Sequence, residues 1–331
     1  MTQQNNHSKV GVVGLGFYVP EKRLTNRDLE KMVETSDEWI RTRTGILERR
    51  IAEKGTGVSD LAAKAAERAL KDAGVKAEEV DLIIMATTTA DMPLPSSACL
   101  VQEKIGAKNA AAFDQAAACA GFVYGLVTAE QFIKCGTYRT VLVIGADLIS
   151  SFIDWTDRTT CILFGDGAGA VVLRPVASGG ILSSVLGSDG HYADLLKICA
   201  GGSRTPASVD SVSAKGHTLQ MNGGDVFKLA VRGMSDALTR ALAKANVRKD
   251  DIACFIPHQA NQRIIDAVSE RLDIPEDKVF VNLSKYGNTS SASCAIALCE
   301  AVAEGRVKKK DKVALATFGS GLVWGALVME W

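Results

Sequence analysis

The chain has 331 residues, 47% of them hydrophobic and 23% charged, a mixture that builds a large buried core and excludes a disordered or low-complexity protein. Lysine plus arginine and aspartate plus glutamate are equal at 38 each. That balance excludes whole-molecule attraction to nucleic acid or an anionic membrane, so an anionic ligand has to be held by a local patch.

Met1–Lys9 is polar and lacks an apolar h-region. Residues 1–9 read as a tail rather than a signal peptide, and no apolar run reaches the ~18 residues of a membrane span. Helical spacing appears at Val58, Leu61, Ala62, Ala65, Ala66, Ala69, Leu70 and Ala73, and Gly74 supplies a C-cap. Leu82–Ala86, Val141–Gly145 and Ala168–Leu173 are short apolar runs, which predict strands covered on both faces and hence an α/β protein. Phe122–Phe132 reads as a helix. Ala69–Val75 is echoed by Ala241–Val247, and each leads through an acidic turn into an apolar run, Leu82–Ala86 or Cys254–His258. Tyr138–Gly145 and Lys310–Thr317 repeat the same offset, about half the chain. The expectation is two similar α/β halves, over residues 10–175 and 176–331, with a site between them at strand ends. The eight cysteines form no C-x-x-C pair, so neither a zinc site nor a disulfide framework is expected. Most, such as Cys254 and Cys294, read as small core residues of a reducing cytoplasm.

Three polar positions stand out. Cys119 lies among small residues in Asp114–Phe122, just before the helical segment. A helix N-terminus favours a thiolate, and small neighbours admit a substrate; an inert buried cysteine fits the same pattern. His258 ends the run Cys254–Pro257. A histidine there is either a working group at a strand end or a hydrogen-bonded core residue. Asn288, in Gly287-Asn288-Thr289-Ser290 before an apolar helix, reads as an N-cap or as an active-site amide. The echo sets Asn288 opposite Cys119. Near the C-terminus, Thr317–Gly325 joins two apolar strands through glycines whose backbone N–H groups suit either an oxyanion hole or a plain turn. The glycine-rich stretches Gly11–Gly16 and Phe164–Ala170 match neither G-x-G-x-x-G before a helix nor a P-loop, so no dinucleotide cofactor is expected.

At these residues the sequence resembles the β-ketoacyl-acyl-carrier-protein synthase III family of thiolase-like condensing enzymes. The likeness runs from Lys9 to Trp331, through Thr35–Ile40 with Thr42–Ile46, Ala118–Phe122, Phe164–Ala170, Pro257–Asn261 and Tyr286–Ser290. It implies a thiolase-like five-layer αβαβα fold, a homodimer, and no cofactor or metal. It also implies a decarboxylative condensation: Cys119 is acylated by a short acyl-CoA, and the carbanion of malonyl-acyl carrier protein then attacks the acyl-enzyme. Cys119, His258 and Asn288 match the catalytic positions, and the backbone N–H groups of Cys119 and Ser320 match the oxyanion hole. Trp39, Arg43, Arg158, Phe227 and Asn261 match the CoA entrance, Lys228, Arg263 and Arg271 a basic rim for the carrier protein, and Leu94 the acyl-pocket wall lent by the partner subunit. Departures are Ser320 and Thr159, where glycine is usual, and Glu270, where a basic residue is common.

Three rival readings remain at this level. A same-fold acyltransferase or condensing enzyme of secondary metabolism would carry the same residues and act on a small-molecule acceptor. A papain-like protease also orders Cys, His and Asn, but its C-G-[SA]-C-[WY] context is absent. A carrier-binding scaffold would not need the full Cys119–His258–Asn288 set.

Overall fold

The computed structural model describes residues 9–331, so of the tail expected over residues 1–9 only Lys9 falls within it, and Lys9 opens the first strand. In chain order the elements that frame the site are β1 (Lys9–Tyr18), α1 (Asp37–Thr44), α2 (Val58–Ala73), β2 (Leu82–Ala86), α3 (Ser97–Ile105), β3 (Ala111–Gln115), α4 (Gly121–Lys134), β4 (Val141–Leu148) and β5 (Asp166–Val176). They continue with β6 (Gly180–Ser188), α5 (Gly223–Ala245), β7 (Ile252–Pro257), α6 (Gln262–Leu272), α7 (Ala292–Ala303), β8 (Lys312–Gly319) and β9 (Val323–Glu330).

Two sheets result. The first runs β1-β5-β4-β2-β3 and the second β7-β8-β9-β6. β2 pairs parallel with β4, β4 antiparallel with β5, and β5 antiparallel with β1. β7, β8, β9 and β6 repeat that sequence of pairings. The place of β3 beside β2 has a counterpart in an isolated parallel bridge between Phe255 of β7 and Val279. The sequence echo also has local structural form. α2 ends on Gly74 and α5 on Asn246, both in the left-handed conformation, and a 3-10 turn then precedes each strand.

Period-two alternation sorts the strand residues into layers. Leu82 and Ile84 of β2, Val141 and Val143 of β4, Cys254 and Ile256 of β7, and Val313 and Leu315 of β8 share one central core with Phe122, Leu126, Ala295 and Leu298 of α4 and α7. Ile83, Met85, Leu142 and Ile144 face the opposite way, onto α2 and α3. Phe255, Ala314 and Ala316 face α5 and α6. The order is therefore α2/α3, sheet, α4/α7, sheet, α5/α6, a five-layer αβαβα arrangement. α4 and α7 are buried on both sides, which is why they read as apolar almost all round.

One expectation needs correction. The N-cap of α7 is Ser291, and Asn288, which stands ahead of it, makes no cap. Its side-chain oxygen instead accepts a hydrogen bond from the backbone N–H of Ser290. The chain passes through left-handed φ at Gly287 (65°) and Ser290 (52°), so the Gly-Asn-Thr-Ser signal marks a tight turn ahead of the helix.

Candidate active site

Cys119 sits in a single 3-10 turn, Ala118–Ala120, between β3 and α4. Ala118 has φ 43°, a left-handed conformation uncommon for a residue with a side chain. The turn is pressed against the end of β8. A Cβ on Gly319 would lie 2.7 Å from the Cys119 nitrogen and 3.0 Å from the Ala118 Cβ, so only glycine fits there. The Cys119 sulfur faces the Ser290 hydroxyl at 3.4 Å.

The expected thiolate at a helix start is not what this environment favours. Burial pushes the Cys119 thiol up to about 12, and the Asp147 carboxylate adds to the rise. A helix N-terminus contributes roughly 0.3–1 kcal/mol. A thiol moved from 9.0 to about 12 is harder to ionise by about 4 kcal/mol. Desolvation therefore outweighs the helix terminus, and the thiol of the free protein stays protonated at physiological pH.

His258 follows the last residue of β7 and is 3% exposed. Its backbone N–H donates to the Ala316 carbonyl at 2.8 Å, fixing it to the neighbouring strand β8. Its Nδ1 pairs with the Ser293 hydroxyl of α7 at 2.6 Å. Burial lowers the imidazole pKa to about 4, so the ring is neutral at physiological pH. Asn288 is held from both sides. Its N–H donates to the Leu163 carbonyl at 2.8 Å, and its carbonyl accepts from Gly165 N–H at 3.1 Å. With Oδ1 engaged by Ser290, the amide nitrogen is the free end of its side chain.

Cys119, His258 and Asn288 all line one cavity of about 600 Å³. The wall between them is apolar, with Leu163, Phe164, Met234 and Phe318. The same cavity includes Arg43, Phe227, Lys228, Asn261 and Arg263, of which Arg43, Lys228 and Arg263 are exposed. A narrow apolar interior with basic groups at its solvent edge suits a ligand with an acyl end and an anionic end.

The remaining sequence candidates fall around this cavity in different ways. The Trp39 ring has the guanidinium carbons of Arg43 and Arg158 each 5.1 Å from its centroid, and Arg158 also donates to the Glu34 carbonyl. Arg263 stands 5.9 Å from the Phe227 ring centroid. Asn261 caps α6 by accepting from Arg263 N–H. Lys228 is 3.6 Å from Asp225. Arg271 lies outside the cavity wall and is paired with Asp236 at 3.3 Å. Ser320 anchors its hydroxyl on the Leu196 carbonyl; its φ is not left-handed, and the glycine-only conformation is at Gly321, φ 118°. A serine is therefore tolerated at 320. Leu94 is 84% exposed and does not line the cavity of its own chain.

Sequence reasoning passed over Ser290, Ser293 and Asp147. Asp147 lies at the end of the apolar strand β4 and is fully buried. Its carboxylate accepts from Thr87, Thr88 and Thr89 on one oxygen and from the Ser291 N–H and hydroxyl on the other. A charged residue closing an otherwise apolar strand was the available signal. His191 is exposed, and His217 pairs with Ser211; neither lines the cavity. Among the described residues no group of three or more His, Cys, Asp or Glu is arranged to hold a metal ion.

A cysteine, a buried histidine and an asparagine lining one cavity between two sheets of matching topology fit the thiolase-like class of condensing enzymes. Residues 113–190 match the family model for 3-oxoacyl-[acyl-carrier-protein] synthase III, and residues 242–331 match the model for its C-terminal part. The β-ketoacyl-[acyl-carrier-protein] synthase III of Clostridioides difficile is 55% identical over 98% of this chain and 99% of its own. Two solved structures of the same enzyme, from Aquifex aeolicus and Thermus thermophilus, superpose with TM-scores of 0.90 and 0.90 at 47% and 46% identity. They cover 97% of this chain in each case, and 100% and 99% of their own. The chain belongs to the β-ketoacyl-acyl-carrier-protein synthase III family, and it is a condensing acyltransferase of fatty acid biosynthesis. No helix among the described residues is long and apolar enough to cross a membrane.

Proposed function

We propose that Cys119 is the acyl acceptor and that His258 and Asn288 drive the second half of the reaction. The observation that carries this reading is that all three side chains line one cavity whose solvent edge is basic. In the first stage the Cys119 sulfur bonds to the carbonyl carbon of a short acyl-CoA. The carbon–sulfur bond to CoA breaks, and CoA leaves with the electron pair and is protonated. The backbone N–H groups of Cys119 and Ser320 receive the transient oxyanion. In the second stage malonyl-acyl carrier protein enters and loses CO₂. Its thioester oxygen gains enolate charge, and the enolate carbon displaces Cys119 from the acyl group.

His258 and Asn288 donate to that enolate oxygen. The Ser293 hydroxyl stands 2.6 Å from Nδ1; with that hydroxyl as the donor, the hydrogen of the neutral ring is on Nε2, the donor the enolate needs. Asn288 turns its amide nitrogen inward because its oxygen is already occupied. Two neutral donors in an apolar pocket stabilise a developing anion more than water does. The chemistry is complete with these side chains and the two thioester substrates, without a cofactor or metal.

Trp39, Arg43, Arg158, Phe227 and Asn261 form the CoA entrance, where the two guanidiniums beside the Trp39 ring serve stacking and phosphate contact. Lys228 and Arg263, with Arg271 further along α6, receive the acidic carrier protein. The enzyme acts as a cytoplasmic homodimer. β3 is an open sheet edge on which Phe113 is 37% exposed, and Met92 and Leu94 in the adjoining loop are exposed too. Such an apolar edge favours pairing with a second copy, and it lets Leu94 close the partner's acyl pocket. The mechanism is tested by measuring the two half-reactions separately. His258→Ala and Asn288→Ala should each slow malonyl decarboxylation by about 10²–10³ while acylation changes far less. Equal losses in both halves would instead make His258 the base that activates Cys119.

A further inference from the structure

Ser290 is the one polar side chain in contact with the Cys119 sulfur, at 3.4 Å, among the hydrogen bonds of the described residues. It is 2% exposed and has φ 52°. A serine held in the left-handed region costs of order 1 kcal/mol or more and persists only where its surroundings fix it. Here they do. The next residue, Ser291, is tied to the buried Asp147 carboxylate by its N–H at 3.0 Å and its hydroxyl at 2.7 Å. The Ser291 carbonyl is so close to β4 that a Cβ on Gly145 would meet it at 2.5 Å. On the other side, Ser290 N–H donates to the Asn288 side chain at 2.9 Å. The turn is clamped at both ends, and its strain aims one hydroxyl at the sulfur.

We propose that Ser290 is a further catalytic residue, whose hydroxyl donates to the Cys119 sulfur and stabilises its thiolate form for attack on the acyl-CoA. The proposal rests on Cys119 being the acyl acceptor. During acylation the sulfur loses its proton and bonds to the acyl carbon, and departing CoA takes a proton up. The Ser290 O–H stays intact throughout, strengthening its hydrogen bond while the sulfur is charged and weakening it once the thioester forms. Such a donor matters because the rest of the setting opposes the anion. Burial raises the thiol pKa, as does Asp147 at the end of β4, while the Ser290 hydroxyl and the cysteine's own N–H lower it. Of the other groups near the sulfur, His258 at the end of β7 is neutral, the Cys294 thiol of α7 is itself pushed up to about 12, and Asp166 of β5 stands behind Asp147. The same serine serves both stages, since its backbone N–H orients Asn288.

The test compares Ser290→Ala and Ser290→Gly with the parent enzyme. Both substitutions remove the hydroxyl, but only glycine also relieves the backbone strain. The readout is the pH dependence of Cys119 alkylation by iodoacetamide, with acetyl transfer from acetyl-CoA followed by intact mass. A hydrogen bond to a charged group is worth enough to move the alkylation profile up by about one pH unit and slow neutral-pH alkylation about tenfold or more in both variants. Malonyl decarboxylation by Ser290→Ala should change less, because the N–H to Asn288 remains. Profiles matching the parent in either variant would overturn the proposal. Recovery in Ser290→Gly alone would assign the defect to the backbone, and parental behaviour of Ser290→Ala alone would show the hydroxyl to be idle. A parent enzyme that takes up no acetyl mass at Cys119 would remove the underlying reading instead.

Discussion

Replacing Gly319 by alanine adds a single methyl group at the tightest point of the site. Its Cβ would stand 2.7 Å from the Cys119 nitrogen, 3.0 Å from the Ala118 Cβ and 3.3 Å from the Ala120 nitrogen. Ordinary contacts begin at 3.4 Å, so the first of these requires a movement of about 0.7 Å. β8 has little freedom to give way, because Phe318 and Gly319 are paired with Trp324 and Val323 of β9. The turn carrying Cys119 therefore moves, and with it the N–H proposed to receive the oxyanion. A 1 Å misplacement at a reacting centre costs roughly 10² in rate, and loss of one oxyanion donor costs about 10²–10³. Gly319→Ala should thus slow single-turnover acylation by acetyl-CoA about 100-fold, while overpacking lowers stability by about 1–3 kcal/mol. Gly202→Ala is the control, since no atom lies within 4 Å of a Cβ there and Gly202 lies outside the cavity wall. If Gly319→Ala melts near the parent temperature and acylates within about threefold of its rate, the close approach of β8 does not set the oxyanion geometry.

His258 gives a pH-dependent stability term. Its pKa falls from 6.5 to about 4 on folding, so between those values the unfolded chain binds the extra proton and stability is lost as pH drops. The parent should lose about 2 kcal/mol more than His258→Gln between roughly pH 7.5 and 5, read from denaturant melts; equal losses would show that the imidazole is not buried neutral. Arg263→Glu should raise the apparent KM for malonyl-acyl carrier protein and flatten its salt dependence, while turnover with a small pantetheine thioester holds. An unchanged carrier response at low salt would remove Arg263 from the docking surface. Leu94→Ala should shift kcat/KM toward acyl-CoAs longer than acetyl by about tenfold, and Leu94→Phe should shift it back toward acetyl. Two dimeric variants with the parental ratio would show that Leu94 does not border the pocket.

Local patterns carried much of the fold. The apolar spacing from Val58 to Ala73 and the cap at Gly74 mark α2 to the residue, and Leu82–Ala86 is β2 as it stands. The echo between Ala69–Val75 and Ala241–Val247 reappears as two helices ending in left-handed caps before matching strands. β3 escaped notice because Ala111–Gln115 is an edge strand, half-exposed and rich in residues with little strand preference. The residues of the site could be named one at a time, but their surroundings could not. The thiol environment of Cys119 depends on Asp147 and Ser290, and Asp147 reaches that turn through Ser291, 144 residues away in sequence. A helix N-terminus is visible in a sequence, whereas the desolvation that overrides it arises only when two sheets close over the same cavity. Ser290 was hidden in the Gly-Asn-Thr-Ser stretch that reads as an N-cap signal, because Ser and Thr before an apolar helix usually cap it.

The most direct measurement is intact-protein mass spectrometry of the parent and of Cys119→Ala after mixing each with acetyl-CoA, with the modified residue located by peptide mapping. The parent should gain a single acetyl group on Cys119, which malonyl-acyl carrier protein then discharges as a β-ketoacyl thioester, and Cys119→Ala should gain none. Acetylation of the alanine variant at the parental rate, or of any other residue in the parent, would contradict the assignment of Cys119 as the group that carries the acyl chain.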